Sequence, residues 1–134
     1  MRIAVVCDVG PTVGAGHAMR CLALVAAVRD EGTSVAWFSP VTSLGWLGGA
    51  ELGNDEVIAV TGTGSTERAV LDWCADLVLV DSYLRPDSFG RSIFAAHVPI
   101  VSINDPSTPR RPASLNLLPG FGLDQGAGGG SILA

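Results

Sequence analysis

The sequence contains no lysine, and its eight basic residues are all arginines, against thirteen acidic residues and a net charge of −5. The arginines are scattered, except for the adjacent Arg110 and Arg111. This distribution argues against a surface that follows nucleic-acid phosphates, so we expect no nucleic-acid partner. A Walker-type phosphate loop is also excluded, because that loop needs a lysine. We expect Arg110 and Arg111 to lie in a solvated loop.

Long apolar runs are missing as well. No run reaches the roughly 18–20 residues that a membrane-spanning helix needs, so no span is expected. The start, MRIAVVCDVG, has too short an apolar run and no small-residue cleavage site for a secretory signal. The three cysteines show no CxxC spacing, which favours buried thiols in a reducing compartment. These features predict a cytoplasmic protein.

Cofactor motifs are absent or fail on inspection. Gly14-Ala15-Gly16 suggests a dinucleotide loop, but Met19 stands where that motif needs a third small residue. The acid expected at the end of the second strand is also missing, since Phe38-Ser39 stand there. Two distant histidines and scattered acids give no metal-ligand spacing. We therefore expect neither a cofactor nor a metal.

Short apolar runs alternate with helical patterns along the chain. The runs predict strands at 2–7, 34–38, 56–60, 77–81, 99–104 and 114–118. Helical spacing predicts helices at 17–32, 43–52, 65–74 and 85–97. We expect Ser65 or Thr66 to cap the third helix, Glu67 to lie in its first turn, and Pro86 to lie near the start of the fourth.

This alternation predicts an α/β fold: a Rossmann-like parallel sheet with helices on both faces. Residues 1–118 would form this domain. The glycine-rich residues 119–134 would be a tail or the start of an interdomain linker. Ligands of such sheets bind outside the carboxyl ends of the strands. That rule selects residues 8–17, 39–40, 81–83 and 104–105.

The segment VGAGHAMR places His17 at a helix start, directly after a glycine turn. The helix dipole there opposes protonation of the imidazole and leaves it available as a base. Arg20 follows one turn later on about the same face, where a cation needs a carboxylate or a ligand. Spacing alone leaves a structural alternative open: His17 could cap a turn, and Arg20 could bridge Asp8 or Asp81.

The segment CDVGPTVGAGHAMRCLALVAAVR resembles the opening of the UDP-sugar hydrolase of pseudaminic acid biosynthesis and its spore coat polysaccharide relatives. The family opening has an Asp after the first strand, then Gly-x-Gly-His, an Arg and often Cys-Leu. The corresponding residues here are Asp8, Gly14, Gly16, His17, Arg20, Cys21 and Leu22. LVLVDSY resembles the family's strand that ends in Asp-x-Tyr, here Asp81 and Tyr83. VSINDPSTPRRPASLNLL resembles a later strand followed by an acidic pair, although the pair here is Asn104-Asp105, which departs from the family.

The resemblance implies the N-terminal half of a GT-B fold and an inverting hydrolase whose UDP-sugar lies between two domains. His17 would activate the attacking water, and Asp8 would orient the base or substrate hydroxyls. Gly14 and Gly16 would let the loop pass beneath the ligand. Substrate-side residues would be Arg20, Asp81, Tyr83, Asn104 and Asp105.

The sequence departs from the family at individual residues and in its length. Val6 and Leu117 stand where the family has an arginine and an asparagine. The chain also ends where the family's nucleotide-binding domain begins, which implies a C-terminal domain or subunit as partner. By itself the 134-residue chain would turn over weakly or not at all. Two alternatives stay open: the acceptor domain of a GT-B glycosyltransferase, and a non-catalytic binding module or split subunit.

Overall fold

The computed structural model describes residues 1–7, 16–40, 52–82, 86, 88–104, 111–118 and 131–133. Its strands form from the short apolar runs of the sequence. They are β1 (Arg2–Cys7), β2 (Ser34–Ser39), β3 (Glu56–Ala59), β4 (Leu77–Asp81), β5 (Ile100–Ile103), β6 (Leu115–Leu118) and β7 (Ser131–Leu133). The six predicted strands are confirmed to within two residues at each end. The predicted helix at 43–52 lies outside the described residues, except for its last position.

All seven strands are parallel, in the order β3-β2-β1-β4-β5-β6-β7. The chain builds outward from β1 to β3 and then returns to add β4 on the other side of β1. The order therefore reverses between β1 and β4. In an open parallel sheet this switch point opens a crevice at the carboxyl ends of the strands.

In the part of the chain that the structure describes, three helices pack against the sheet: α1 (Gly16–Val28), α2 (Thr63–Asp72) and α3 (Arg91–Ala95). Strand side chains alternate between two apolar clusters. One contains Ile3, Val5, Trp37 and Leu79 and packs against α1. The other contains Ala4, Val6, Phe38 and Val80 and packs against α2 and α3. The α/β fold with helices on both faces is therefore confirmed. No helix among the described residues is long and apolar enough to cross a membrane.

Helix α1 ends at Val28, four residues before the predicted end. Asp30 turns the chain there: its Oδ1 accepts hydrogen bonds from Thr33 Oγ1 and from the Gly32 amide, both at 2.9 Å. Both bonds lower the pKa of Asp30, and the bond from Thr33 has the larger effect. The early end also leaves Val28 exposed, whereas Ala18, Cys21 and Val25 of the same helix are buried.

Helix α2 begins at Thr63 with Gly62 as its N-cap, so the predicted cap at Ser65 or Thr66 is wrong. Gly62 has a φ of 92°, a conformation that a side chain would strain. Thr66 lies inside the helix, where its Oγ1 donates a 2.6 Å hydrogen bond to the Gly62 carbonyl. The earlier start also moves Glu67 out of the first turn. The Thr66 hydroxyl therefore bonds to the backbone four residues earlier and does not cap the start of the helix.

Helix α3 is only five residues long, and Pro86 lies outside it. The predicted helix from 85 is interrupted by Gly90, which has a φ of 99°. A Cβ at Gly90 would also lie 3.0 Å from Ile100 Cδ1. Glu67 of α2 holds this start: it accepts hydrogen bonds from the Gly90 amide and, at 2.6 Å, from Ser92 Oγ.

Two further regions differ from expectation. Strand β7 extends the sheet beyond β6, with Asn116 paired to Ser131, although no strand was predicted there. Cys74 is exposed, whereas Cys7 and Cys21 are buried as expected. Cys74 follows α2 with a φ of 59°, and this turn carries it out of the core.

Candidate functional site at the carboxyl end of the sheet

The last residues of the neighbouring strands β2, β1 and β4 form a row on the α1 face. Cys7 pairs with Asp81 across β1 and β4, and it lies next to Ser39 because Val6 pairs with Phe38. This row spans the point where the strand order reverses. All three residues are buried, and Ser39 Oγ has no hydrogen-bond partner among the described residues. Polar groups therefore end these three strands at the point where the strand order reverses.

Arg20 of α1 and Asp81 of β4 form a two-pronged ion pair over this row. Arg20 Nε lies 2.8 Å from Asp81 Oδ2, and Arg20 Nη2 lies 2.8 Å from Asp81 Oδ1. The Asp81 side chain is 2% exposed, whereas that of Arg20 is 38% exposed. The pair thus ties the first turns of α1 to the end of β4, while one side of the guanidinium faces solvent. This ion pair is one of the two bridges, to Asp8 or to Asp81, that the sequence leaves open for Arg20.

Loss of either member should affect stability unequally. We expect Arg20→Gln to lower the free energy of unfolding by about 2 kcal/mol, because the buried carboxylate loses its two-pronged donor. Asp81→Asn should cost only about 1 kcal/mol, because the half-exposed guanidinium can turn to water. Urea denaturation at neutral pH measures both. Arg68→Gln, at an exposed position of α2, is the control. Equal losses, or a larger loss for Asp81→Asn, would contradict the prediction.

Cys7 and Cys21 meet beneath this ion pair. A hydrogen bond between the two thiols, together with burial, raises the pKa of Cys21 well above its ordinary value. A thiol held neutral in an apolar core is a poor nucleophile, so Cys21 is not a candidate for covalent chemistry. Both cysteines are buried in the apolar cluster that packs against α1.

Asn104 follows β5 at the same edge of the sheet but belongs to a different group. It is 2% exposed, and its Oδ1 accepts a 2.9 Å hydrogen bond from Ser102 Oγ. Its Nδ2 donates a 2.6 Å hydrogen bond to Asn116 Oδ1. Ser102 is two residues from Ile100, which packs with α2 and α3, so this group lies on the sheet face opposite Asp81. The structure therefore separates two site residues that the sequence had grouped.

Arg111 is buried, contrary to its predicted place in a solvated loop. It is 5% exposed, and its Nη2 donates a hydrogen bond to the carbonyl oxygen of Ser82. This bond joins the segment after β5 to the residue after β4. Local sequence gave no signal for it, because the accepting carbonyl is twenty-nine residues away. Ser102 and Asn116 were also missed, although each is a polar residue inside an apolar strand.

The other predicted site residues are Asp8, Gly14, Gly16, His17, Tyr83 and Asp105. Asp8, Gly14, Tyr83 and Asp105 lie outside the described residues. Gly16 and His17 are the first two residues of α1, and their side chains lie outside the described part. Helix α1 thus begins at the residues predicted from the glycine–histidine turn, at the switch point. Within the described ranges, no three His, Cys, Asp or Glu side chains are grouped to hold a metal ion.

The fold matches a solved structure. No protein-family model matches the chain, and no curated protein matches it significantly. The chain is similar to MurG of Acinetobacter baumannii, with a TM-score of 0.71 and 12% sequence identity. The chain has the fold of the N-terminal half of a GT-B protein. The alignment covers 98% of this chain but only 44% of that chain, so the chain spans less than half the length of its structural neighbour.

Proposed function

We propose that this GT-B half binds the sugar side of a UDP-sugar at the β1–β4 switch point and contributes His17 as a general base. One observation carries the proposal: α1 starts at Gly16, and the Arg20–Asp81 pair fixes its first turns against the end of β4. A helix held in this position directs its free amide groups into the crevice, where they favour a diphosphate or a developing negative charge. The resemblance of the glycine–histidine segment to the hydrolase family supplies the chemistry.

In the proposed reaction, His17 accepts a proton from water as the water oxygen attacks the anomeric carbon. The bond between that carbon and the UDP oxygen breaks, and UDP leaves with the electron pair. Attack from the opposite side inverts the anomeric configuration. The sugar carries the water oxygen, and the proton passes from His17 to solvent. The second, nucleotide-binding half would come from a partner domain or subunit.

The likeness to MurG favours one rival, a GT-B glycosyltransferase. In that case His17 would take its proton from an acceptor hydroxyl in place of water. Fold cannot distinguish the two, because the same crevice accommodates either nucleophile. A third candidate is a non-catalytic binding half.

A UDP-release assay separates these functions. We expect the native gene product to release UDP and free sugar in equal amounts from a UDP-sugar panel, without added acceptor. The free sugar should initially have the inverted anomeric configuration by proton NMR. UDP release that requires an acceptor alcohol would identify the transferase. Saturable binding without turnover in either condition would identify the binding half, and absence of binding would overturn the proposal.

A further inference from the structure

The last residue of β2, Ser39, has a buried hydroxyl that the protein does not satisfy. Ser39 is fully buried, and its Oγ has no hydrogen-bond partner among the residues that the structure describes. The buried hydroxyls of Thr66 and Ser102, by contrast, each donate a hydrogen bond to a nearby oxygen. Burying a hydroxyl without a partner costs free energy, and an alanine would avoid that cost. Packing therefore does not account for a serine at this position.

The Ser39 hydroxyl lies on the same face and at the same edge of the sheet as the Arg20–Asp81 pair. Alternation along β2 puts Ser39 on the side of Trp37, which belongs to the cluster that packs against α1. Ser39 lies level with Cys7 of β1, and Cys7 is paired with Asp81 of β4. Ser39 is thus two strands from Asp81, which is about 10 Å at the usual strand spacing.

Helix α1 begins just beyond this row of strand ends. The helix runs from the carboxyl edge of the sheet to the amino edge, since Arg20 contacts the end of β4 and Arg29 contacts Asp55, which precedes β3. At the usual helical rise, Gly16 lies about 6 Å further toward the carboxyl edge than Arg20. Because α1 packs on β1 and β4, a ligand at its first amides lies one or two strand spacings, about 5–10 Å, from Ser39.

We propose that Ser39 Oγ hydrogen-bonds a hydroxyl of the sugar ring when a UDP-sugar binds at the switch point. This inference rests on the proposed function of the crevice. A pyranose attached to a diphosphate at the start of α1 can reach the end of β2.

The surroundings of Ser39 favour a neutral ligand group over a phosphate. On this face β2 otherwise carries Val35 and Trp37, which are both buried in the apolar cluster. A sugar hydroxyl can donate to Ser39 or accept from it without bringing a charge into that cluster, whereas a phosphate would bring one. In dinucleotide-binding sheets, too, a side chain that follows the second strand bonds a ribose hydroxyl.

The test asks whether the hydroxyl contributes to ligand binding or to the stability of the fold. Ser39→Ala is compared with Ser34→Ala, which removes an exposed hydroxyl at the other end of β2. A second comparison is Ser102→Ala, which removes a buried hydroxyl that has a partner, on the opposite face of the sheet. Urea midpoints are measured without ligand, and UDP-N-acetylglucosamine and UDP are titrated into the native gene product by calorimetry.

We expect Ser39→Ala to keep or raise the urea midpoint, because it removes an unsatisfied buried group. Ser102→Ala should lower the midpoint, because Asn104 loses its donor. Ser39→Ala should weaken binding of UDP-N-acetylglucosamine about tenfold and leave binding of UDP unchanged. Ser34→Ala and Ser102→Ala should leave both affinities unchanged.

A midpoint lowered as much as in Ser102→Ala would show that the Ser39 hydroxyl stabilises the fold and would overturn the assignment. Unchanged affinity for UDP-N-acetylglucosamine would identify a buried water as its partner, and equal weakening for both ligands would move the contact to the nucleotide; each overturns it, although the proposed function stands. If Ser39→Ala does not fold, Ser39→Cys gives the same comparison, since a thiol is a weak donor. If wild type binds neither ligand, the proposed function fails and the assignment with it.

Discussion

Replacing His17 with alanine is expected to lower kcat for UDP-sugar hydrolysis by about 10²- to 10⁴-fold, the usual contribution of a general base. KM should change little, because the ring removes a proton in the transition state and contributes little to ground-state binding. Steady-state assays of UDP release by the native gene product measure both constants. The control is Met19→Ala, since Met19 lies on the same turn of α1 with 55% of its surface exposed.

The pH dependence separates a base from a structural histidine. A general base works only when its imidazole is neutral, so activity of the wild type should fall as the pH is lowered. In His17→Ala this acidic limb of the profile should disappear, along with most of the rate. A variant that keeps the limb, or that keeps wild-type turnover, would show that another group accepts the proton.

Replacing Trp37 with alanine should lower the free energy of unfolding by about 3–5 kcal/mol. Trp37 is fully buried in β2, in the apolar cluster that packs against α1. Its Nε1 donates a 3.0 Å hydrogen bond to Asp55 Oδ2. Asp55 also accepts a hydrogen bond from Arg29, the residue directly after α1. The substitution therefore opens a large cavity and removes a polar link between β2 and the segment before β3.

Trp37→Phe divides this loss into its two parts. It keeps most of the ring volume but removes the N–H donor, so we expect a cost of about 1–2 kcal/mol. Urea denaturation monitored by circular dichroism measures both variants. A loss below about 1 kcal/mol for Trp37→Ala would mean that the site collapses around the deleted ring, and that Trp37 does not anchor the apolar cluster against α1.

Strand positions were predictable because each strand is a short apolar run with distinct ends. LVLVD matches β4 residue for residue, and RIAVVC matches β1. A strand buried on both faces needs apolar residues at every position, so its pattern is visible without knowledge of its neighbours. The glycine–histidine turn likewise marked the start of α1 to within one residue.

Helix ends were less predictable because single residues with special backbone conformations decide them. Gly90 interrupts the helical pattern that began near Pro86, and Gly62 starts α2 before the expected cap. Glycines in these patterns have several possible roles, and the role depends on the chain that packs nearby. At Gly90 that neighbour is Ile100, which belongs to the next strand.

Site partners depended still more on tertiary structure. The sequence leaves Asp8 and Asp81 open as partners of Arg20, and in the structure Arg20 forms an ion pair with Asp81. The sequence analysis places Asn104 in one site with Asp81. In the structure, Asn104 lies on the opposite face of the sheet and donates a hydrogen bond to Asn116. The sequence analysis also places Arg111 in solvent, whereas the Ser82 carbonyl holds that guanidinium in the interior.

By itself, the sequence determined an α/β chain of short buried strands, a helix that starts at a glycine–histidine turn, and polar residues at the strand ends. These features are local, because they follow from the spacing of apolar residues and from the backbone freedom of glycine. Only the tertiary structure decided which polar groups meet. The strand order brings β4 beside β1, some seventy residues away in the chain, and the alternation of side chains assigns each polar group to one face of the sheet.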